Sequence, residues 1–162
     1  MSNPETRTEL KRINIDSIDL VIDLFDKYRV FYKQPTDIGR ARKFLSERLA
    51  NNESIIVVAI GEQADGTIIS MGFTQLYPKY SSARTAKNWI LNDLYVDVPF
   101  RKQGIGKMLI GYATNFARDN GSEFVQLETA FDNYTAQSLY ESIGFVKQRP
   151  SEEFLLYKIA VN

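Results

Sequence analysis

The chain has 162 residues, 44% of them hydrophobic and 25% charged, and its 20 Lys and Arg balance its 20 Asp and Glu. This predicts one soluble domain over residues 1–162 with a core of ordinary size, and the even charge gives no electrostatic case for nucleic acid or an anionic membrane. With no cysteine and no histidine, disulfides, a thiolate nucleophile and an imidazole base are excluded, and a metal site loses its two best ligands.

No apolar run reaches the length of a membrane span, and the opening MSNPETRTEL lacks the apolar core of a signal peptide. The expectation is a cytoplasmic protein without a metal, whose chemistry uses Asp, Glu, Tyr, Lys, Ser, water or backbone.

Glu9 to Ile15 reads as a first strand, after which Asp16 or Ser17 can cap a helix. Val21, Leu24, Phe25 and Tyr28 form the apolar stripe of that helix, and Tyr28, Phe31 and Tyr32 crowd its end before Pro35. A second helix starts near Asp37, with Ala41, Phe44, Leu45, Arg48 and Leu49 facing inward, and stops at Asn51-Asn52.

Ser54 to Ile60 is a continuous apolar run, as a buried central strand requires. Asp65-Gly66 signals a hairpin turn, and Thr67 to Leu76 returns as its second strand. Tyr77 to Asn88 is polar and turn-rich, and reads as a loop.

Trp89 to Val96 is the next strand, broken before Pro99. The glycine-containing loop Arg101-Lys102-Gln103-Gly104-Ile105-Gly106 leads into a helix from about Gly104 to Arg118, with Met108, Leu109, Tyr112, Ala113 and Phe116 as its stripe. Glu123 to Ala130 is a further strand. Asp132 or Asn133 caps a short helix carrying Ala136, Leu139, Tyr140 and Ile143, and Gly144 ends it. Phe145 to Gln148 and Phe154 to Ile159 read as two last strands. The fold class is α/β, a mixed sheet with helices on both sides in the order β-α-α-β-β-β-α-β-α-β-β.

Two glycines at a helix start let backbone approach a ligand and leave N–H groups for an anion such as phosphate. A P-loop requires G-x-x-x-x-G-K-[ST], but Met108 follows Gly106-Lys107 and the upstream glycine is missing. A dinucleotide fingerprint requires G-x-G-x-x-G, and Leu109 stands at its third glycine. A tight strand-to-helix turn with no ligand is the remaining alternative.

The loop Arg101-x-x-Gly104-x-Gly106 resembles the acetyl-CoA pyrophosphate loop, R/Q-x-x-G-x-G/A, of the GNAT N-acetyltransferase superfamily. A second block, Asn133-x-x-Ala136-x-x-Leu139-Tyr140-x-x-x-Gly144-Phe145, is similar to the family's later motif. The two blocks span about residues 89 to 145, and the element order resembles the GNAT acyl-CoA N-acyltransferase fold over nearly the whole chain. Leu91 to Val96 and the C-terminal Ser151-Glu152-Glu153 also resemble diamine acetyltransferases. Those enzymes carry Glu where this chain has Asn92, and no acidic cluster suited to a polycation is evident.

The resemblance implies transfer of the acetyl group of acetyl-CoA to a primary amine by direct attack, with no metal. The phosphates would lie on backbone N–H groups of Gln103, Gly104, Ile105, Gly106 and Lys107, assisted by Arg101 and Lys102. The pantetheine arm would follow Leu94, Tyr95 and Val96 as an added strand does, with Asn133 and Ala136 alongside. An N–H at that strand end would serve the oxyanion, a donor worth about 3 kcal/mol of barrier.

Tyr140 would be the general acid for the CoA thiolate, a task a neutral phenol can perform; on spacing alone it continues an apolar stripe. An alkylammonium with a pKa of about 10.4 is only about one part in 2,500 neutral at pH 7, so a base is needed, and Asp93 and Glu128 are the candidates. Tyr28, Phe31, Tyr32, Tyr77 and Asn92 would bound the acceptor, with Tyr80 nearby. A small amine or a protein N-terminus fits as acceptor, and a homodimer is left open. The alternatives are a non-catalytic acyl-CoA-binding module and a longer acyl donor.

Overall fold

The computed structural model describes residues 7–161; the stretch 1–6, part of the segment read above for an apolar leader, lies outside them. The chain divides at Glu128 into two units, each described on its own. The first contains β1 (Thr8–Arg12), α1 (Asp19–Phe31), α2 (Ile38–Ala50), β2 (Ile55–Glu62), β3 (Ile68–Ser81), β4 (Ala86–Val96), α3 (Ile105–Asp119) and β5 (Val125–Gln126). The second contains α4 (Tyr134–Ile143).

The sheet runs β1-β2-β3-β4-β5, with β1 to β4 antiparallel and β5 parallel to β4. Successive side chains on β2 take opposite faces. Ile56, Val58 and Ile60 join Phe73 and the inner residues of α1 and α2, whereas Val57 and Ala59 join Met71 and the inner residues of α3. Helices therefore cover both faces, as expected for this mixed α/β class.

The first helical segment begins earlier than Asp16 or Ser17. Asn14 caps a single 3-10 turn over Ile15–Ser17 through a reciprocal capping box with Ser17, and α1 follows it. α2 starts next to Asp37 as expected, and Asp37 proves to be its cap, its side chain accepting the Arg40 N–H at 2.9 Å. On α3 the buried face is Ile105, Leu109, Ile110, Ala113 and Ala117, and Met108 is exposed. The buried stripe is rotated from the one expected because Ile105, Leu109 and Ala113, four residues apart, meet the sheet.

Three strand expectations are corrected. The expected loop from Tyr77 to Asn88 is largely strand, since β3 runs to Ser81 and β4 starts at Ala86. Its polar residues sit in a two-stranded extension from Tyr77↔Ile90 to Ser81↔Ala86, and ladder pairing sustains a strand that lacks an apolar pattern.

The expected Glu123–Ala130 strand contracts to Val125–Gln126, opposite Trp89 and Ile90. Just before it the side chain of Asn88 accepts the N–H groups of Glu123 and Phe124, at 2.8 and 3.3 Å, in place of ladder bonds. No strand forms over Phe145–Gln148 or Phe154–Ile159. Among the described residues of the second unit, 129–161, there is no partner strand for those segments, and an apolar run without a ladder partner leaves its backbone groups to water.

Candidate active site

β4 ends at the loop the sequence singles out. Asp97 caps a 3-10 turn at Val98–Phe100 and is paired with Lys27 at 2.8 Å. The hydrogen bond with Asp97 raises the Lys27 ammonium above its ordinary range. For Asp97, burial pushes the carboxyl upward, but bonds from Lys27 and the Val98 N–H outweigh it and hold the group low.

Lys102 takes a left-handed φ of 60°, and Gly104, the α3 N-cap, one of 79°. No side chain caps α3, and the first N–H to reach a carbonyl of the opening turn is that of Met108, bonded to Gly104 O at 3.1 Å. The N–H groups of Ile105, Gly106 and Lys107 are thus left for an external acceptor, the condition for anion binding at a helix start.

Arg101, Lys102, Gln103 and Lys107 are exposed around this opening. Arg101 folds back, Nε donating to Val96 O at 2.9 Å with its guanidinium over the Tyr95 ring. It therefore ties the loop to the half-buried strand end Leu94, Tyr95 and Val96.

A cavity of about 290 Å³ opens between α1, α2 and the β3–β4 pair. Phe25, Tyr28, Phe44 and Tyr77 form its apolar walls, and Arg29, Arg40, Asn92 and Asp93 supply its polar groups. Consecutive strand residues ordinarily face opposite ways, yet Asn92 and Asp93 both line this space. The ladder explains it. Gln75 faces Asp93 but the next residue, Leu76, faces Leu91, so Asn92 is the extra residue of a β-bulge.

Asp93 is 3% exposed. Gln75 Nε2 donates to its Oδ2, and Asn92 Nδ2 to its Oδ1 at 2.9 Å. Burial pushes the Asp93 carboxyl above its usual range, while bonds from Gln75, Asn92 and Tyr28 pull it partly back. Tyr28 donates to the Asn92 carbonyl at 3.4 Å. Burial, reinforced by the Asp93 charge, pushes the phenols of Tyr28 and Tyr77 upward, so both stay neutral donors.

Of the expected acceptor-site residues, the structure gathers Tyr28, Tyr77 and Asn92 with Asp93. Phe31 and Tyr32 are exposed beyond the cavity lining. Phe31 stacks edge-on against Tyr32, and Tyr32 against Tyr28. Tyr80 lies outward on the β3–β4 extension, and Glu128 is exposed and not among the lining residues.

Sequence reading missed Phe25, Phe44, Arg29 and Arg40 as cavity residues. Arg29 is fixed by Asp26, a buried carboxylate that also accepts the Thr36 hydroxyl and the Asp37 N–H. Helical spacing could have flagged Arg29, four residues beyond Phe25 on the same helix face, but nothing local marks Arg40.

In the second unit, the Asn133 side chain caps α4 by accepting the Ala136 N–H at 3.2 Å, and Gly144 ends it at φ 117°. Tyr140 is half-buried on α4, its ring 5.9 Å from that of Phe145. Among the described residues, no group of three or more acidic, histidine or cysteine side chains could hold a metal ion, and no helix is long and apolar enough to cross a membrane.

The acetyltransferase (GNAT) family model matches residues 21–145, which contain both the loop and the cavity. The chain is 42% identical over 125 residues to the uncharacterized N-acetyltransferase YhfO of Bacillus subtilis, covering 77% of this chain and 80% of that one. It is similar to the crystal structure of a probable acetyltransferase at 37% identity and a TM-score of 0.81, over 95% and 98% of the two chains. It also shares the fold of the aminoglycoside N-acetyltransferase AAC(6')-Iy in complex with CoA, at 17% identity and a TM-score of 0.75, over 98% and 99%. With a family model spanning most of its length and a relative this similar, the chain belongs to the acetyltransferase (GNAT) family.

Proposed function

We propose that the protein transfers the acetyl group of acetyl-CoA to a primary amine bound in the cavity beside Asp93. The observation that carries this reading is the juxtaposition on one strand: β4 contributes Asn92 and Asp93 to the cavity and, through residues 97–104, leads into the start of α3, which no side chain caps. A cleft for an amine and a cradle for pyrophosphate are thus held by the same backbone.

In this reading the N–H groups from Gln103 to Lys107 bind the phosphates, with Lys102 and Lys107 adding charge. Leu94 to Val96 guide the thioester arm. Arg101 braces the strand end, because its Nε already bonds Val96 O. The amine nitrogen attacks the thioester carbon, the C–N bond forms and the C–S bond breaks. The ammonium proton passes to Asp93, whose raised proton affinity suits an acceptor better than an ordinary carboxylate does.

The CoA thiolate takes its proton from Tyr140, the role that the family resemblance of the Asn133–Phe145 block assigns, with Asn133 and Ala136 beside the arm. Glu128, exposed, is the less suitable base. The proposal further includes a cytoplasmic setting and action as a single domain.

Acetyl-CoA binding is tested by thermal shift. Ligand at 100 times its Kd stabilises the folded state by about 2.7 kcal/mol. Release of CoA thiol in the presence of an amine panel then distinguishes an enzyme from a module that only binds acyl-CoA, and a shift without turnover would overturn the catalytic reading.

A further inference from the structure

We propose that the acceptor carries an anion as well as its amine: a zwitterion of the amino-acid class with an apolar or aromatic body, its carboxylate held by Arg40 and its amine directed to Asn92 and Asp93. This rests on the reading of the cavity as the acceptor site.

The charge pattern around the cavity supports it. α2 bears four cations, Arg40, Arg42, Lys43 and Arg48, and three have acidic partners: Asp19 for Arg42, Glu47 for Lys43, Glu53 for Arg48. Arg40, on the cavity wall, has none among the described residues. Arg29 is also on the wall, but one terminal nitrogen is committed to Asp26 at 2.9 Å, which neutralises it.

The lining therefore holds one uncompensated guanidinium and one buried carboxylate, on different elements. A polycation would meet Arg40 unfavourably and could pair only with Asp93. A molecule with one amine and one carboxylate matches both groups, and a guanidinium fork suits a carboxylate geometrically.

The remaining walls are aromatic, which suits an apolar side chain. At about 290 Å³ the space lies at the small end of the roughly 300–1,000 Å³ typical of ligand sites, so it fits an amino acid better than a large polyhydroxylated amine.

The site is built on the frame of α1 and α2. Asp26 on α1 accepts the Asp37 N–H at 2.9 Å, and the Asp37 side chain accepts the Arg40 N–H at 2.9 Å. Arg40 thus starts from a backbone anchored to the same helix that supplies Phe25, Tyr28 and Arg29.

The test compares phenylalanine, phenylalaninamide, phenethylamine and spermidine as acceptors, with acetyl-CoA as donor and CoA thiol release as readout. Phenylalanine should show a kcat/KM at least tenfold above phenylalaninamide and phenethylamine, and spermidine should be poorest. Arg40→Gln should collapse the phenylalanine-to-phenethylamine ratio toward one, mainly through KM, and Arg40→Lys should restore part of it. Arg40 is exposed, so melting temperatures should not change.

Turnover of spermidine or phenethylamine in preference to phenylalanine, or an unchanged ratio in Arg40→Gln, would overturn this inference while leaving amine acetylation standing. Turnover of none of the four, with acetyl-CoA bound, would overturn both.

Discussion

Gln75 and Asp93 face each other across the β3–β4 ladder, and the Gln75 carboxamide donates to the Asp93 carboxylate inside the sheet. Both are buried, and the Gln75 side-chain oxygen, Oε1, has no partner among the described residues. The pair holds a carboxylate at the base of the cavity, at the point where the bulge at Asn92 breaks the ladder. Burying a charge this way costs stability, and sites that accept such a cost are often functional.

Asp93→Asn should reduce kcat/KM about 100-fold or more, the usual scale of a lost general base. In the wild type, the acidic limb of the pH–rate profile should lie above the ordinary carboxylate range. Because burial raises the Asp93 pKa above that of an ordinary aspartate, its contribution to stability is greatest below the unfolded pKa and is lost as pH rises through the folded one. The melting temperature of Asp93→Asn relative to wild type should therefore increase from pH 4 to pH 8. A flat difference would show that the carboxylate is not strained by burial.

Asp26 behaves in the opposite sense. Burial raises its pKa, but bonds from the Asp37 N–H, Thr36 and Arg29 outweigh burial and the net shift is downward. Its contribution is present above the unfolded pKa and lost as pH falls through the lower folded one. Asp26→Ala should cost about 3 kcal/mol, because it leaves the half-buried Arg29, the Thr36 hydroxyl and the Asp37 N–H without their acceptor. Urea unfolding at pH 7 and pH 3 should show the cost shrinking at the acid end. The acceptor KM should rise as Arg29 loses its anchor.

Gly72 sits where β3 meets the end of β4. A Cβ there would lie 2.8 Å from Tyr95 O and 3.2 Å from Val96 Cα, both backbone atoms that cannot move aside cheaply. Gly72→Ala should cost about 1–3 kcal/mol by overpacking. It should also weaken acetyl-CoA binding, since the displaced segment is the one proposed to guide the thioester arm. Denaturant midpoints and acetyl-CoA titration check the two effects separately.

Gly104 differs in kind, because a Cβ there would meet nothing within 4 Å and only its φ of 79° resists substitution. Gly104→Ala should lose about 1–2 kcal/mol of local conformational energy. Acetyl-CoA affinity should fall severalfold with kcat at saturation little changed. A fall in kcat alone would contradict the phosphate-cradle role.

Tyr140→Phe keeps the ring on α4 and removes the hydroxyl. The proposed acid role predicts a kcat at least tenfold lower with a modest change in acetyl-CoA affinity. Unchanged turnover would remove Tyr140 from the mechanism.

Much of this was legible in the sequence because the signals are local. The start of a helix near Asp37, Asp65-Gly66 as a hairpin turn, the apolar run of β2 and the glycine-containing start of α3 each depend on a few neighbouring residues. The stripe of Val21, Leu24, Phe25 and Tyr28 fixed the face α1 turns to the sheet, and the two family blocks are themselves short local patterns.

The rest depended on contacts between residues far apart in sequence. Polar residues from Tyr77 to Ser81 became strand because β4 paired with them, and the last apolar segments stayed irregular where no ladder partner was present. Asn92 and Asp93 share a cavity only because the β3 register slips by one residue between them. Arg40 comes to the cavity wall through the chain of bonds from Asp26 to Asp37. Alternation and helical spacing can mark which residues are able to be buried; which strand edge, carboxylate or cavity each one meets is set by pairing free energies that no single segment contains.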